Sequence, residues 1–130
     1  MKPLISLLIA AAFSYLTAQA APVHIYLAAG QSNATASWSN SIESRLNELS
    51  PSPRHLVVNS IHSGNWMPLW WNEVPKGNYV DDSNKLQKAI DAVKAEGDTP
   101  IFKDLFWIQG EGDSKSVAHI KSYKERFIAA

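Results

Sequence analysis

The stretch Val23 to Ala34, VHIYLAAGQSNA, decides how the rest of the chain is read. Val23, Ile25, Tyr26 and Leu27 are strand formers in a short apolar run that ends in small residues, the pattern of a strand buried on both faces of a parallel sheet. The run stops at Gly30 and delivers Gln31, Ser32 and Asn33 into a tight turn. Glycine tolerates the backbone angles of such a corner. Open α/β sheets bind ligands just outside the carboxyl ends of their strands, so Ser32 is the first candidate for a reacting group. A bland reading stands beside this one, a turn in which Ser32 or Asn33 caps the next helix.

Upstream of the strand, residues 1–20 carry a single charge, Lys2, followed by an apolar stretch from Leu4 to about Leu16 and the tripeptide Ala18-Gln19-Ala20. The stretch is too short for a membrane span, and AQA has the small residues of a cleavage site. This predicts a signal peptide cut after Ala20, a secreted or periplasmic product and no membrane anchor. Cleavage removes Lys2 and no acid, so 12 basic against 12 acidic side chains become 11 against 12. A nearly neutral chain has no broad attraction for nucleic acid or anionic lipid. There is no cysteine, which excludes thiol catalysis and thiolate metal sites. Residues 21–130 suffice for one domain, with no internal repeat.

Downstream, Trp38, Ile42, Leu46 and Leu49 recur at helical spacing, and Ser50-Pro51-Ser52-Pro53 ends that helix. His55 to Ile61 reads as a second strand. The aperiodic, aromatic segment from His62 to Val80 suggests a functional loop. Asp82 or Ser83 is a candidate cap for a helix with Leu86, Ala89, Ile90 and Val93 as its apolar stripe, Lys85, Lys88, Asp91 and Lys94 as its solvated face, and Gly97 at its end. Ile101 to Ile108 reads as a third strand, followed by the corner Gln109-Gly110-Glu111-Gly112-Asp113. Ser114 is a candidate cap for a last helix with Val117, Ile120, Tyr123 and Phe127 facing inward. Core packing is the default for Trp38 and Trp107.

Three strand-end corners thus converge on one sheet edge: GQSN, the loop beginning SGNW, and QGEGD. In order and spacing they resemble the blocks of the SGNH hydrolases, in the branch of sialate O-acetylesterases and acetylxylan-type carbohydrate esterases. Gly30-Gln31-Ser32-Asn33 is similar to the first block and Gly64 with Trp70 to the second. Trp107-Ile108-Gln109-Gly110-Glu111-Gly112-Asp113 is similar to the Trp-x-Gln-Gly-Glu-x-Asp third block. The resemblance implies a three-layer αβα, flavodoxin-like fold with a parallel sheet in the order 2-1-3-4-5, and a metal-independent serine esterase that needs no cofactor and removes O-acetyl groups from carbohydrates. It implies Ser32 as nucleophile, with the NH groups of Ser32 and Gly64 and the side-chain amide of Gln109 as oxyanion donors. Glycine at position 64 would keep a side chain out of the path of the ester. Gln31, Asn33, Glu111 and Asp113 are candidates for loop support, and Trp66, Trp70 and Trp71 for sugar contact.

The family draws its base from an Asp-x-x-His block, and none of His24, His55, His62 and His119 follows an aspartate by three positions. His24 and His55 begin strands and lie at the wrong edge, His119 belongs to a helix surface, and His62 falls inside the second block. With three strands instead of five, the expectation is a truncated domain, inactive by itself and marginally stable. Two other readings remain: a noncatalytic carbohydrate-binding or degenerate homologue, and a glycosidase using Glu111 and Asp113 as its carboxylate pair.

Overall fold

The computed structural model describes residues 19–31, 33–64 and 77–129. It is an α/β fold of three parallel strands, β1 (Pro22–Gly30), β2 (Arg54–Ile61) and β3 (Thr99–Ile108), in the spatial order 2-1-3. The helices are α1 (Ala36–Leu49), α2 (Asn78–Ala95) and α3 (Val117–Ala129), with a 3-10 turn at Asp113–Lys115. Parallel neighbours require crossover connections, which α1 and α2 provide. This open parallel sheet with its helices is consistent with a flavodoxin-like arrangement. No helix among the described residues is long and apolar enough to cross a membrane.

β1 is central because its residues suit both neighbours. Val23 and Ile25 are fully buried and pack with Val93 of α2, flanked by Leu56, Val58, Leu86 and Ile90. Burying a side chain such as Ile25 contributes about 1.5–3 kcal/mol. Successive strand residues face opposite ways. The alternate positions therefore meet α1 on the other face, where Phe106 packs at 6.4 Å against Trp38 and the Asn47 amide donates to the His55 carbonyl at 2.9 Å. The expected burial of β1 on both faces is only partial, since His24, Tyr26 and Leu27 are half-buried.

Helix ends follow local chemistry. Thr35 caps α1, its hydroxyl accepting from the Trp38 NH at 3.3 Å. Ile42 and Leu46 are half-buried as the stripe predicts, but Leu49 is 67% exposed. α2 ends in a Schellman motif: the Gly97 NH donates to Lys94 O at 3.0 Å and the Asp98 NH to Val93 O at 3.1 Å, with Gly97 at φ 87°.

Several sequence expectations need correction. α2 starts at Asn78 behind Gly77, so neither Asp82 nor Ser83 is its cap. Asp82 is buried one turn inside the helix and serves side-chain partners instead. Lys85 is not a purely solvated residue, since it bonds both Asp81 and Ser60. Ser114 donates its hydroxyl to Glu111 O at 2.8 Å. Ser116 leads into α3, its carbonyl accepting from the Ile120 NH at 3.0 Å. Val117 and Ile120 are 68% and 54% exposed rather than inward-facing. Only Tyr123 and Phe127 turn back, packing around Trp107. β3 includes Pro100, tolerated because β3 is an edge strand, and it leaves Ile101, Phe102 and Leu105 exposed.

Candidate active site

The carboxyl ends of all three strands are laced together by backbone hydrogen bonds. The Gln31 NH donates to Ile108 O at 2.8 Å, and the His62 NH donates to Gly30 O at 2.8 Å. Gly30 makes this approach possible. Its φ is 148°, and a Cβ placed there would lie 1.9 Å from Ile108 O.

Beyond Gly30 the first and third corners clamp each other. Gln31 is only 3% exposed, and its Oε1 accepts from the NH groups of Gly110 and Gly112, both at 3.1 Å. One buried amide oxygen thus satisfies two loop donors that would otherwise lack partners. Asn33 Nδ2 donates to Glu111 Oε1 across the same junction. Residues 31 and 33, on either side of Ser32, are therefore both tied to the QGEGD loop. Ser32 itself lies outside the described residues, as do Trp66, Trp70 and Trp71.

The third corner is braced from within. Gln109 Nε2 donates to Asp113 Oδ2, and Asp113 is buried. The Gln109 carbonyl accepts from the Tyr123 hydroxyl at 3.2 Å, which in turn accepts from Trp107 Nε1 at 2.9 Å. Burial raises the Tyr123 pKa, and the charges of Asp113 and Glu111 act in the same direction, so the phenol remains a donor. A primary amide carries two hydrogens. With one of them held by Asp113, the Gln109 side chain keeps a fixed plane. Glu111 and Asp113 each serve a different amide, Asn33 and Gln109 respectively. That gives both carboxylates a partner in the corners.

Gly64 ends the described part of the second corner at φ 75°, and a Cβ there meets nothing within 4 Å. Among the described residues nothing crowds this position, and its positive φ is what favours glycine. His24 and His55 pair in register at the opposite end of the sheet, their rings 5.3 Å apart. Partial desolvation, helped by Lys103 and His55, lowers the His24 pKa. His119 is half-buried on α3.

His62 is the residue that sequence reasoning passed over. Its Nε2 lies 2.8 Å from Asp82 Oδ1 and 3.7 Å from Asp81 Oδ2. Ser60, fully buried one strand repeat before it, donates its hydroxyl to the same Asp82 oxygen. Lys85 Nζ bonds Asp81 Oδ2 at 2.7 Å, and that hydrogen bond is the main reason the Asp81 pKa is lowered. The only sequence signal was the two-residue spacing between Ser60 near the end of β2 and His62 just beyond it. Nothing marked Asp82, twenty positions later, as their partner.

Comparison of the chain with models of known protein families, with curated proteins and with solved structures found no match. Fold and geometry together define an α/β protein whose parallel strand ends carry a rigid double corner, GQSN against QGEGD.

Proposed function

We propose that this chain carries the nucleophile and oxyanion-binding side of a secreted carbohydrate O-acetylesterase of the SGNH hydrolase type. The observation supporting it best is the clamp between the two corners: buried Gln31 on the NH groups of Gly110 and Gly112, and Asn33 on Glu111. Preorganised donors stabilise a developing oxyanion because they need no reorganisation during reaction. In this reading the Ser32 oxygen attacks the acetyl carbonyl carbon, and the NH groups of Ser32 and Gly64 and the Gln109 amide hold the oxyanion. Collapse expels the sugar hydroxyl with a proton, and water then releases acetate from the acyl-serine. The chain contains no Asp-x-x-His block, so by itself, with no external base, it is expected to be inactive.

Acetate release from acetylated xylan fragments and O-acetylated sialic acid, measured with and without added imidazole as an external base, tests this. The expected result is no release without imidazole and a weak release with it, which Ser32→Ala reduces to background. Sugar binding indifferent to Ser32→Ala, with no acetate under either condition, would transfer the proposal to a noncatalytic binding role. Cleavage of glycosidic bonds unaffected by Ser32→Ala would instead select the carboxylate pair.

Export belongs to the same proposal. The Ala21 nitrogen donates to Asp98 Oδ1 at 3.2 Å. Cleavage after Ala20 turns that amide into an ammonium beside a carboxylate, strengthening the contact. N-terminal sequencing of exported protein should begin at Ala21. Asp98→Asn should then lower the melting temperature of the cleaved chain by a few degrees, about what a loss under 1 kcal/mol produces. An uncleaved chain equally sensitive to that change would refute the ammonium pairing.

A further inference from the structure

The side chain of His62 is given no role in the esterase reading, although its backbone NH bonds Gly30 O beside the first corner. We propose that His62 Nε2, Asp82 Oδ1 and Asp81 Oδ2 form a site for a borderline divalent transition metal, with Zn(II) as its probe ion. The three donor atoms lie within 4.8 Å of one another. In a tetrahedral site with bonds of 2.0–2.1 Å, neighbouring donors stand about 3.3 Å apart. The two distances from His62 Nε2, 2.8 Å to Asp82 and 3.7 Å to Asp81, bracket that value. The two pairs that include His62 are therefore within about half an ångström of tetrahedral spacing, while the two carboxylate oxygens, within 4.8 Å of each other, draw together on the ion.

The donors come from different elements, with different rigidity. His62 follows the end of β2 and its side chain is 13% exposed, while Asp82 on α2 is 9% exposed. Asp81 is 51% exposed, which gives the site a solvent-facing side where water completes the coordination. Ser60, fully buried, donates to Asp82 Oδ1, the ligand atom itself, and its hydroxyl lies 3.3 Å from His62 Nε2, so it fixes both donors. Such outer contacts orient a metal ligand and are typically worth about 10- to 100-fold in affinity. Imidazole with carboxylate selects zinc or its neighbours over magnesium, which prefers oxygen alone.

Charge explains why the cluster holds together without an ion and how it would accept one. The two carboxylates are met by Lys85, which sits on Asp81 at 2.7 Å and 3.3 Å from Ser60 Oγ, and Lys88 acts on Asp81 from farther off. A dication bound to both aspartates and a neutral imidazole balances the carboxylates by itself, freeing the partly exposed Lys85 to turn outward. Lys85 is thus a built-in competitor for the metal.

The test is zinc titration of the full chain in metal-stripped buffer, followed by calorimetry and thermal melting. One saturable site per chain is expected. His62→Ala should weaken it by at least about tenfold, Ser60→Ala by about tenfold, and Lys85→Gln should tighten it. The neighbouring imidazoles make His24→Ala the control, and its affinity should equal that of the unaltered chain. Absence of saturable binding, indifference to His62→Ala, or displacement of zinc by an equal concentration of magnesium would overturn the site. Should His62→Ala lose its circular dichroism signal, Lys85→Gln decides, because it keeps every donor: tighter binding upholds the site, unchanged or weaker binding overturns it.

Discussion

Gly30→Ala is expected to leave the chain largely unfolded at room temperature. The new methyl carbon would stand 1.9 Å from Ile108 O and 2.6 Å from its carbonyl carbon, and both atoms are backbone. No rotamer change relieves such an overlap, so β1 and β3 must separate where Gln31 and Ile108 are hydrogen-bonded. The positive φ adds conformational strain on top. Strain and overpacking each cost about 1–3 kcal/mol, and together they threaten most of the stability of a small domain. Far-ultraviolet circular dichroism during a urea titration reads the effect directly. Gly97→Ala is the natural control, since its φ is also positive but a Cβ there meets nothing within 4 Å. That change should cost only about 1 kcal/mol. Equal stabilities for the two variants would mean that the β1 to β3 approach is not as close as described.

Gln109→Ala is expected to reduce Ser32-dependent acetate release in imidazole by about a hundred- to a thousandfold, the usual effect of deleting one oxyanion donor. Folding should survive, because Gln109 is only half-buried and its backbone carbonyl contact to Tyr123 does not involve the side chain. Asp113→Asn separates donation from positioning. It keeps the volume but removes the charged acceptor that orients the Gln109 amide, so kcat should fall while KM changes little. A fall in both variants, with KM steady, ties the Gln109 and Asp113 pair to the reacting carbonyl. If Gln109→Ala turns over like the unaltered chain, the amide is a structural brace and the oxyanion assignment fails.

The apolar runs 23–29, 55–61 and 101–108 are short, flanked by breakers and rich in strand formers, and each emerged as a parallel strand within one or two residues. The 2-1-3 order and the crossover helices accord with the arrangement that the corner motifs imply. Those features were legible because periodicity and turn chemistry are local properties. The stripe Leu86, Ile90 and Val93 packs where its spacing predicts. Capping was misread for the opposite reason. Asp82 has the right residue type for a cap, but its carboxylate is claimed by Ser60 and His62 from another element. Val117 and Ile120 fit a helical stripe, yet nothing among the described residues covers them.

By itself the sequence determined where the strands end and which residues stand in the corners. Those depend on backbone sterics and on residue type at a fixed position. Only the tertiary structure decided the partnerships: Gln31 with Gly110 and Gly112, Asn33 with Glu111, Gln109 with Asp113, and His62 with Asp82. Three of these four links join residues twenty or more positions apart. Their formation depends on strand register and helix placement, which bring distant polar groups within bonding distance, and where they are buried, as at Gln31 and Asp82, burial disfavours leaving them unpaired.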